Sequence, residues 1–176
     1  MTTAPDDATI AFREALRLAA SDLVTEAIAA FEKMIETWPK HDLADDALYD
    51  LGACYLHINQ HDRAAACFER LIAEYPDAEI ASEELGGREV GRTAAKAQLG
   101  LVATHLGRGD MESAKAAADA LADDEVSKVR PTPGVERSFH EVAQSLLLSA
   151  TAGEDDDVDD VGPESCQEAA EDDGES

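Results

Sequence analysis

The sequence predicts an all-α protein: a short α-solenoid of about three helical hairpins, a C-terminal capping helix and a disordered acidic tail. Apolar residues recur every three or four positions along much of the chain, which is the period of a helix with one buried face. They make up 44% of the residues, whereas aromatic residues make up only 5%. Alanine is abundant as well, so the composition favours closely packed helices over sheets. A segment that recurs 37 positions later indicates an internal repeat.

The first hairpin is predicted at about residues 5–39. Its first helix begins near Pro5 and has an apolar face made of Ile10, Ala11, Ala15 and Leu18. Ser21 and Asp22 mark the turn and the cap of the second helix. That helix ends at Pro39, because the residue before a proline is restricted to non-helical geometry.

The second hairpin, at about residues 43–76, has the clearest pattern. Its first helix carries a stripe at i, i+3, i+4 and i+7, formed by Leu48, Leu51, Gly52 and Tyr55. After a polar break at residues 59–62, a second helix carries Ala64, Cys67, Phe68 and Leu71, and Pro76 ends it. The small residues Gly52 and Ala64 would let the two helices cross closely, with Tyr55 and Phe68 filling the space beside them.

The first two hairpins are copies of one pattern. The segment FEKMIETWP of the first hairpin returns as FERLIAEYP in the second, so Ala27, Phe31 and Pro39 correspond to Ala64, Phe68 and Pro76. The first hairpin has Glu14-Ala15 where the second has Leu51-Gly52. We interpret it as a divergent repeat at the end of the array.

The order of these residues resembles the tetratricopeptide repeat. Its pattern of an apolar residue, Leu-Gly, an aromatic residue, Ala, an aromatic residue and a closing Pro is matched by Leu48, Leu51, Gly52, Tyr55, Ala64, Phe68 and Pro76. Leu48 replaces the more usual tryptophan. The resemblance implies that the first helix of each hairpin lines a concave groove, which holds a peptide or helix of another protein. These scaffold positions carry little information about the ligand.

A third hairpin is predicted at about residues 91–123, and a closing helix at about 133–151. GRGDMESA would open the second helix of this hairpin, although Ala118 stands where the other hairpins have phenylalanine. Arg130 to Gly134 is expected to be a rigid break. The closing helix presents a seam formed by Val135, Phe139, Val142 and Leu146. That seam can cover the open end of the solenoid or pair two chains.

Charge is the most unusual property of the composition. There are 39 acidic residues against 14 lysines and arginines, a formal net charge of −25. This charge excludes direct binding to nucleic acid or an anionic membrane as an expected function. Two explanations stay open: a high-salt habitat, in which carboxylates keep a protein hydrated, or an ordinary acidic protein whose charge favours solubility and a basic partner.

Residues 1–152 are expected to form the repeat domain, and residues 153–176 a disordered acidic tail, because the tail has no basic and few large apolar residues.

The N-terminal segment lacks the features of a secretory signal. The three cysteines are an odd set without a paired framework, which is typical of a reducing compartment. The expected location is therefore the cytoplasm.

Catalytic and metal chemistry is not expected. Cys54, His57, His61 and Cys67 include the ligand types that zinc prefers, but their spacing fits two inward cysteines and two histidines near a turn better. An aspartate alternation in the tail lacks the glycine and the closing glutamate of a calcium loop. We predict no catalytic residue, no metal and no cofactor.

The groove is the expected binding site. Candidate groove residues are Arg13, Arg17, Tyr49, Asp50, His57, Arg92 and Lys96. The lysine and asparagine clamp that some members of the family use for a C-terminal carboxylate is missing. The predicted function is a protein-binding adaptor without catalysis. The alternatives are a self-assembling subunit, such as a homodimer that pairs through its last helix, and an acidic, chaperone-like binder of basic proteins.

Overall fold

A computed structural model describes residues 6–80, 88–132 and 134–152. Within these residues the chain forms seven helices: α1 (Asp7–Ala20), α2 (Val24–Thr37), α3 (Ala44–His57), α4 (His61–Glu74), α5 (Thr93–Gly107), α6 (Met111–Asp119) and α7 (Phe139–Ala152). Three short strands accompany them: β1 (Glu89–Val90), β2 (Lys128–Thr132) and β3 (Val135–Ser138). None of the described helices is long and apolar enough to cross a lipid bilayer.

The helices stack as hairpins in chain order. Helices α1 and α2 pack together, as do α3 with α4 and α5 with α6. Successive hairpins join where α2 contacts α3 and where α4 contacts α5. Helix α7 lies against α5 and α6 at the end of the stack. The prediction of a mostly helical, solenoid-like architecture is therefore confirmed.

Phenyl rings and small residues form the core between the hairpins. Phe12 and Phe31 are buried, with ring centroids 6.0 Å apart. Phe68 lies between two helices, because a Cβ added to either Gly52 of α3 or Gly100 of α5 would come within 2.7 Å of its ring. Ala27 and Ala64 are fully buried as well. Close helix packing at these positions depends on the absence of larger side chains.

The ends of the first hairpin differ in detail from the prediction. Asp6 caps α1 by accepting a hydrogen bond from the Thr9 amide at 2.8 Å, while Pro5 lies outside the described residues. The prediction of an inward-facing Ile10 is wrong, because this side chain is 53% exposed; Phe12 fills the inner face instead. Leu23, not Asp22, is the N-cap of α2, since Asp22 occupies the turn with a φ of 61°.

A small antiparallel sheet replaces the expected rigid break. The strands lie in the order β1-β2-β3, with Glu89 opposite Val129 and Thr132 opposite Val135. The purely all-α class is therefore wrong for this segment. Gly91 is required where the sheet meets α5: its φ is +118°, and a Cβ there would lie 2.4 Å from the backbone of Ser127.

Helix α7 begins at Phe139 rather than near residue 133. A capping box starts it, because the Ser138 amide donates to Glu141 and the Glu141 amide donates to the Ser138 hydroxyl. Phe139, Ala143 and Leu147 form its buried face. The predicted seam is shifted, since Val135 lies in β3 and is 46% exposed, and Leu146 is 36% exposed. The predicted acidic tail, residues 153–176, lies outside the described residues.

Candidate functional site: the groove along α1 and α3

Two cavities lie along the same pair of helices. The polar cavity, of about 840 Å³, is lined by Thr9 and Arg13 of α1 and by the loop before α3. The apolar cavity, of about 220 Å³, is lined by Leu16 and Ala19 of α1 and by the second half of α3. The lining residues Thr9, Arg13, Leu16 and Ala19 follow one another at helical spacing, so both cavities lie on one face of α1. We call this face, together with the facing residues of α3 and the loop before it, the groove.

The polar cavity combines residues from four parts of the chain. Its charged and polar lining consists of Asp6, Thr9, Arg13, His41, Asp42, Glu79, Arg92 and Arg130. Two of the arginines are already engaged, since Arg92 pairs with Asp124 at 3.4 Å and Arg130 pairs with Glu136 at 2.9 Å. Arg13 is exposed and makes no hydrogen bond or ion pair with the described residues. It is therefore available to an acidic group of a ligand.

Asp6 and His41 fix the edge of the polar cavity. The His41 Nδ1 atom accepts a hydrogen bond from the Leu43 amide at 3.1 Å. The proton of a neutral ring then sits on Nε2, which donates to the Asp6 carboxylate at 3.0 Å. Hydrogen bonds from Thr9 and from His41 lower the pKa of Asp6 to about 2. The pair ties the start of α1 to the loop that leads into α3.

The apolar cavity has apolar walls and an acidic rim. Its walls are formed by Leu16, Ala19, Val24, Phe31, Ala53 and Cys54. Asp22, Asp50 and His57 complete the lining, and the His57 ring lies 3.5 Å from the Asp22 carboxylate. Burial, together with the charge of Asp50, raises the pKa of the Cys54 thiol to about 11. The thiol stays protonated at neutral pH and acts as part of an apolar wall rather than as a nucleophile.

Asp50 is a charged residue of the apolar cavity without a direct partner among the described residues. It is half-buried, and burial raises the pKa of its carboxyl to about 6, although the positive charge of Lys96 opposes the shift. The Lys96 ammonium lies 2.8 Å from Glu89 and 4.0 Å from the centroid of the Tyr49 ring. Across the residues that the structure describes, Asp50 has neither a hydrogen bond nor an ion pair within 4 Å.

The structure brings four of the predicted groove residues to the cavities. Arg13 and Arg92 line the polar cavity, and Asp50 and His57 line the apolar cavity. Arg17 instead pairs with Glu14 on the exposed surface of α1 at 2.6 Å. Tyr49 and Lys96 pack between α3 and α5, where the Tyr49 ring lies 5.5 Å from that of Phe68.

Sequence reasoning missed the apolar wall and the loop residues. Leu16 and Ala19 are three positions apart on α1, and Ala53 follows Asp50 by three positions on α3. That spacing was the available signal. His41 and Arg130 lie in a loop and a strand, where helical periodicity gives no information.

The cysteines and histidines considered as a zinc set do not converge on one cavity. Cys54 lines the apolar cavity, whereas Cys67 lines a separate cavity of about 660 Å³ between α2 and α4. In the described parts of the chain, no group of three or more His, Cys, Asp or Glu side chains is arranged to hold a metal ion. To bind zinc, these side chains would have to place their nitrogen and sulfur atoms at about 2 Å from one common metal position.

Comparison with known protein families identifies the first two hairpins. The tetratricopeptide repeat family model matches residues 11–82. This match confirms the resemblance inferred from the residues of α3 and α4, and it also covers α2 and most of α1, which the sequence indicated as a divergent copy of the same repeat. No curated protein matches the chain.

Proposed function

Residues 11–82 of this chain belong to the tetratricopeptide repeat family, and from that premise we propose that the protein is a binding module that holds a segment of another protein in the groove along α1 and α3. Repeats of this family generally mediate protein–protein interaction. The proposed role is that of an adaptor without catalysis. The apolar wall includes one thiol, that of Cys54. Burial raises the pKa of this thiol to about 11, so it is protonated at neutral pH and is a poor nucleophile.

The observation that supports this proposal most directly is the pairing of an apolar and a polar cavity in one groove. An apolar cavity of about 220 Å³ can take one large side chain of a partner. Buried anchors of this kind supply most of the binding free energy of an interface. The polar cavity, with an Arg13 that has no partner among the described residues, would then orient the bound segment rather than supply most of its affinity.

Net charge supports a basic partner. A formal charge of −25 attracts cationic proteins over long distances and raises their rate of association. Asp22 and Asp50 bring the same sign of charge to the rim of the apolar cavity. Binding should therefore weaken as the salt concentration rises.

A site-directed photocrosslinking experiment tests the proposal. A photoreactive amino acid is placed at His57, which is 64% exposed at the rim of the apolar cavity, or at Glu69, which is exposed on α4 and lines none of the described cavities. Each full-length variant is mixed with an extract of the source organism. We expect crosslinked proteins with the His57 variant and few with the Glu69 variant, and the added substitution Ala53→Leu should abolish them. Equal crosslinking from both positions would contradict a groove-based function.

Self-assembly through α7 is a second candidate, and a specific observation favours it. Leu148 is 69% exposed and Leu146 36% exposed on the outer side of this helix. Two copies of α7 could bury these side chains against each other. Sedimentation equilibrium should then show a dimer that Leu148→Glu converts to a monomer. A monomer at every concentration tested would end this candidate.

A further inference from the structure

We infer that the segment bound in this groove carries a large apolar residue and, within two residues of it, a lysine or arginine. The apolar side chain would occupy the apolar cavity, and the cationic group would lie against Asp50. The inference rests on the proposed function, because it specifies the chemistry of the ligand at the same groove.

Asp50 is the first observation behind this assignment. Among the described residues, its half-buried carboxylate has lost part of its hydration without gaining a hydrogen bond or an ion pair, which is unfavourable. Lys96, the cation whose charge acts on Asp50, is held by Glu89 at 2.8 Å and by the face of the Tyr49 ring. In the described part of the chain, Asp50 therefore has no cation in direct contact, although the charge of Lys96 acts on it from a distance. It lines the apolar cavity, so a cation of the ligand can reach it.

The apolar cavity is the second, independent observation. Its walls come from three different helices: Leu16 and Ala19 from α1, Phe31 from α2, and Ala53 and Cys54 from α3. A dry apolar cavity of about 150 Å³ is large enough to bind benzene. A cavity of about 220 Å³ would thus accept the side chain of a leucine, methionine or phenylalanine.

The acidic rim of the apolar cavity determines which sign of charge the ligand should carry next to its apolar residue. Asp22 and Asp50 are both acidic, and among the described residues that line this cavity only His57 can become a cation. The His57 side chain is 64% exposed and lies beside Asp22 rather than reaching Asp50 as an ion pair. An acidic residue of the ligand would face uncompensated repulsion here, whereas lysine or arginine would be attracted.

A peptide array provides the test. Immobilised peptides with three consecutive varied positions in a glycine and serine frame are probed with the full-length chain. We expect enrichment of peptides that combine leucine, methionine or phenylalanine with lysine or arginine. The best peptide is then measured in solution against variants of the chain. Asp50→Asn should raise its Kd about tenfold, as expected for the loss of a charge-assisted contact.

Three further variants separate the effect of filling the apolar cavity from the effect of removing a charge. Ala53→Leu fills the apolar cavity and should abolish binding, and Ala19→Leu does the same from the opposite wall if the first variant unfolds, as judged by circular dichroism. Glu69→Gln removes the same charge as Asp50→Asn from the exposed face of α4 and should leave the Kd within about twofold of the wild-type value.

The outcomes distinguish this inference from the function on which it rests. Binding that is lost in Ala53→Leu but shows no preference for lysine or arginine, or no effect of Asp50→Asn, overturns the inference and leaves groove binding intact. Binding that no cavity-filling variant weakens, or an array without any bound peptide, overturns both.

Discussion

Helix α3 presents Gly52 to one set of neighbours and Asp50 to another, and the two positions differ in how completely their contacts are satisfied. At Gly52 the Phe68 ring fills the space between two helices, and no larger side chain would fit. At Asp50 a half-buried carboxylate has no direct partner among the described residues and borders an open cavity. Residues that stabilise a fold are usually packed tightly against their neighbours. Residues that bind a ligand often lack some packing contacts or a partner for their charge until the ligand is bound. Substitutions at the filled position should therefore lower the stability of the protein, whereas removing the charge of Asp50 should raise it.

The largest effect is expected at Phe68. Phe68→Ala should lower the free energy of unfolding by about 3–5 kcal/mol, because it opens a cavity among three helices. Urea denaturation followed by circular dichroism measures the loss. Phe31→Ala, the equivalent change in the first hairpin, is the matched control and should give a loss of similar size. A loss under about 1 kcal/mol for Phe68→Ala would show that the ring is not a central contact.

Glycine substitutions should have the next largest effect. A Cβ at Gly100 would lie 2.7 Å from the Phe68 Cζ atom, so Gly100→Ala should destabilise the protein by about 1–3 kcal/mol through overpacking. In a helix without this contact, replacing glycine by alanine would raise the stability, because alanine is the better helix former. A loss of stability is therefore specific to the clash with Phe68. In the double variant with Phe68→Leu, the smaller side chain should relieve part of the clash. Strictly additive losses in this double-mutant cycle would contradict direct contact.

Asp50 should respond in the opposite direction. Burial raises its folded-state pKa to about 6, above the ordinary aspartate value of 3.8. The contribution of Asp50 to the stability of the folded protein therefore falls as the pH rises from about 4 to 6. Asp50→Asn removes this penalty and should stabilise the protein at pH 7 by about 1–2 kcal/mol, with no gain below about pH 4. Chemical denaturation at several pH values measures the difference. A destabilised variant at neutral pH would indicate that the carboxylate has a partner.

The smallest effect is expected at Asp6, which is a cap at the surface. Its pKa is lowered to about 2 by hydrogen bonds from Thr9 and His41. The stabilisation that it contributes is present above the unfolded value of about 4 and is lost as the pH falls through about 2. Asp6→Ala should lower the thermal midpoint at neutral pH, and the decrease should be much smaller at about pH 2. Equal decreases at both pH values would argue against the charged cap.

Repeated local patterns made most of the helical architecture predictable. The stripe from Leu48 to Tyr55 and the copied segment around Phe31 and Phe68 are signals that a single helix carries by itself. The pair Leu99-Gly100 of α5 repeats the pair Leu51-Gly52 of α3, and both glycines lie against the Phe68 ring. This repeated pair was therefore a local signal for the second close approach.

The sheet and the detail of the groove could not be predicted in the same way. Strand β1 has two residues, and its partners at Lys128 and Val129 are remote in sequence, so no local alternation marks it. The unmet charge of Asp50 depends on where Lys96 and Glu89 lie in space. That is a property of packing, and helical periodicity places the residue on α3 without revealing its surroundings.

The pairing of β1 with β2 has a consequence for how the molecule opens. It joins the segment before α5 to the segment after α6 and so closes the third hairpin into a loop, which Ser127 reinforces by bonding to Arg92 and Asp124. A solenoid without such a closure frays from both termini. Here we expect fraying to start at α1, with amide hydrogens of α5 exchanging far more slowly than those of α1. Since α1 is one wall of the groove, the mobile end of the array would also be the side on which a ligand enters.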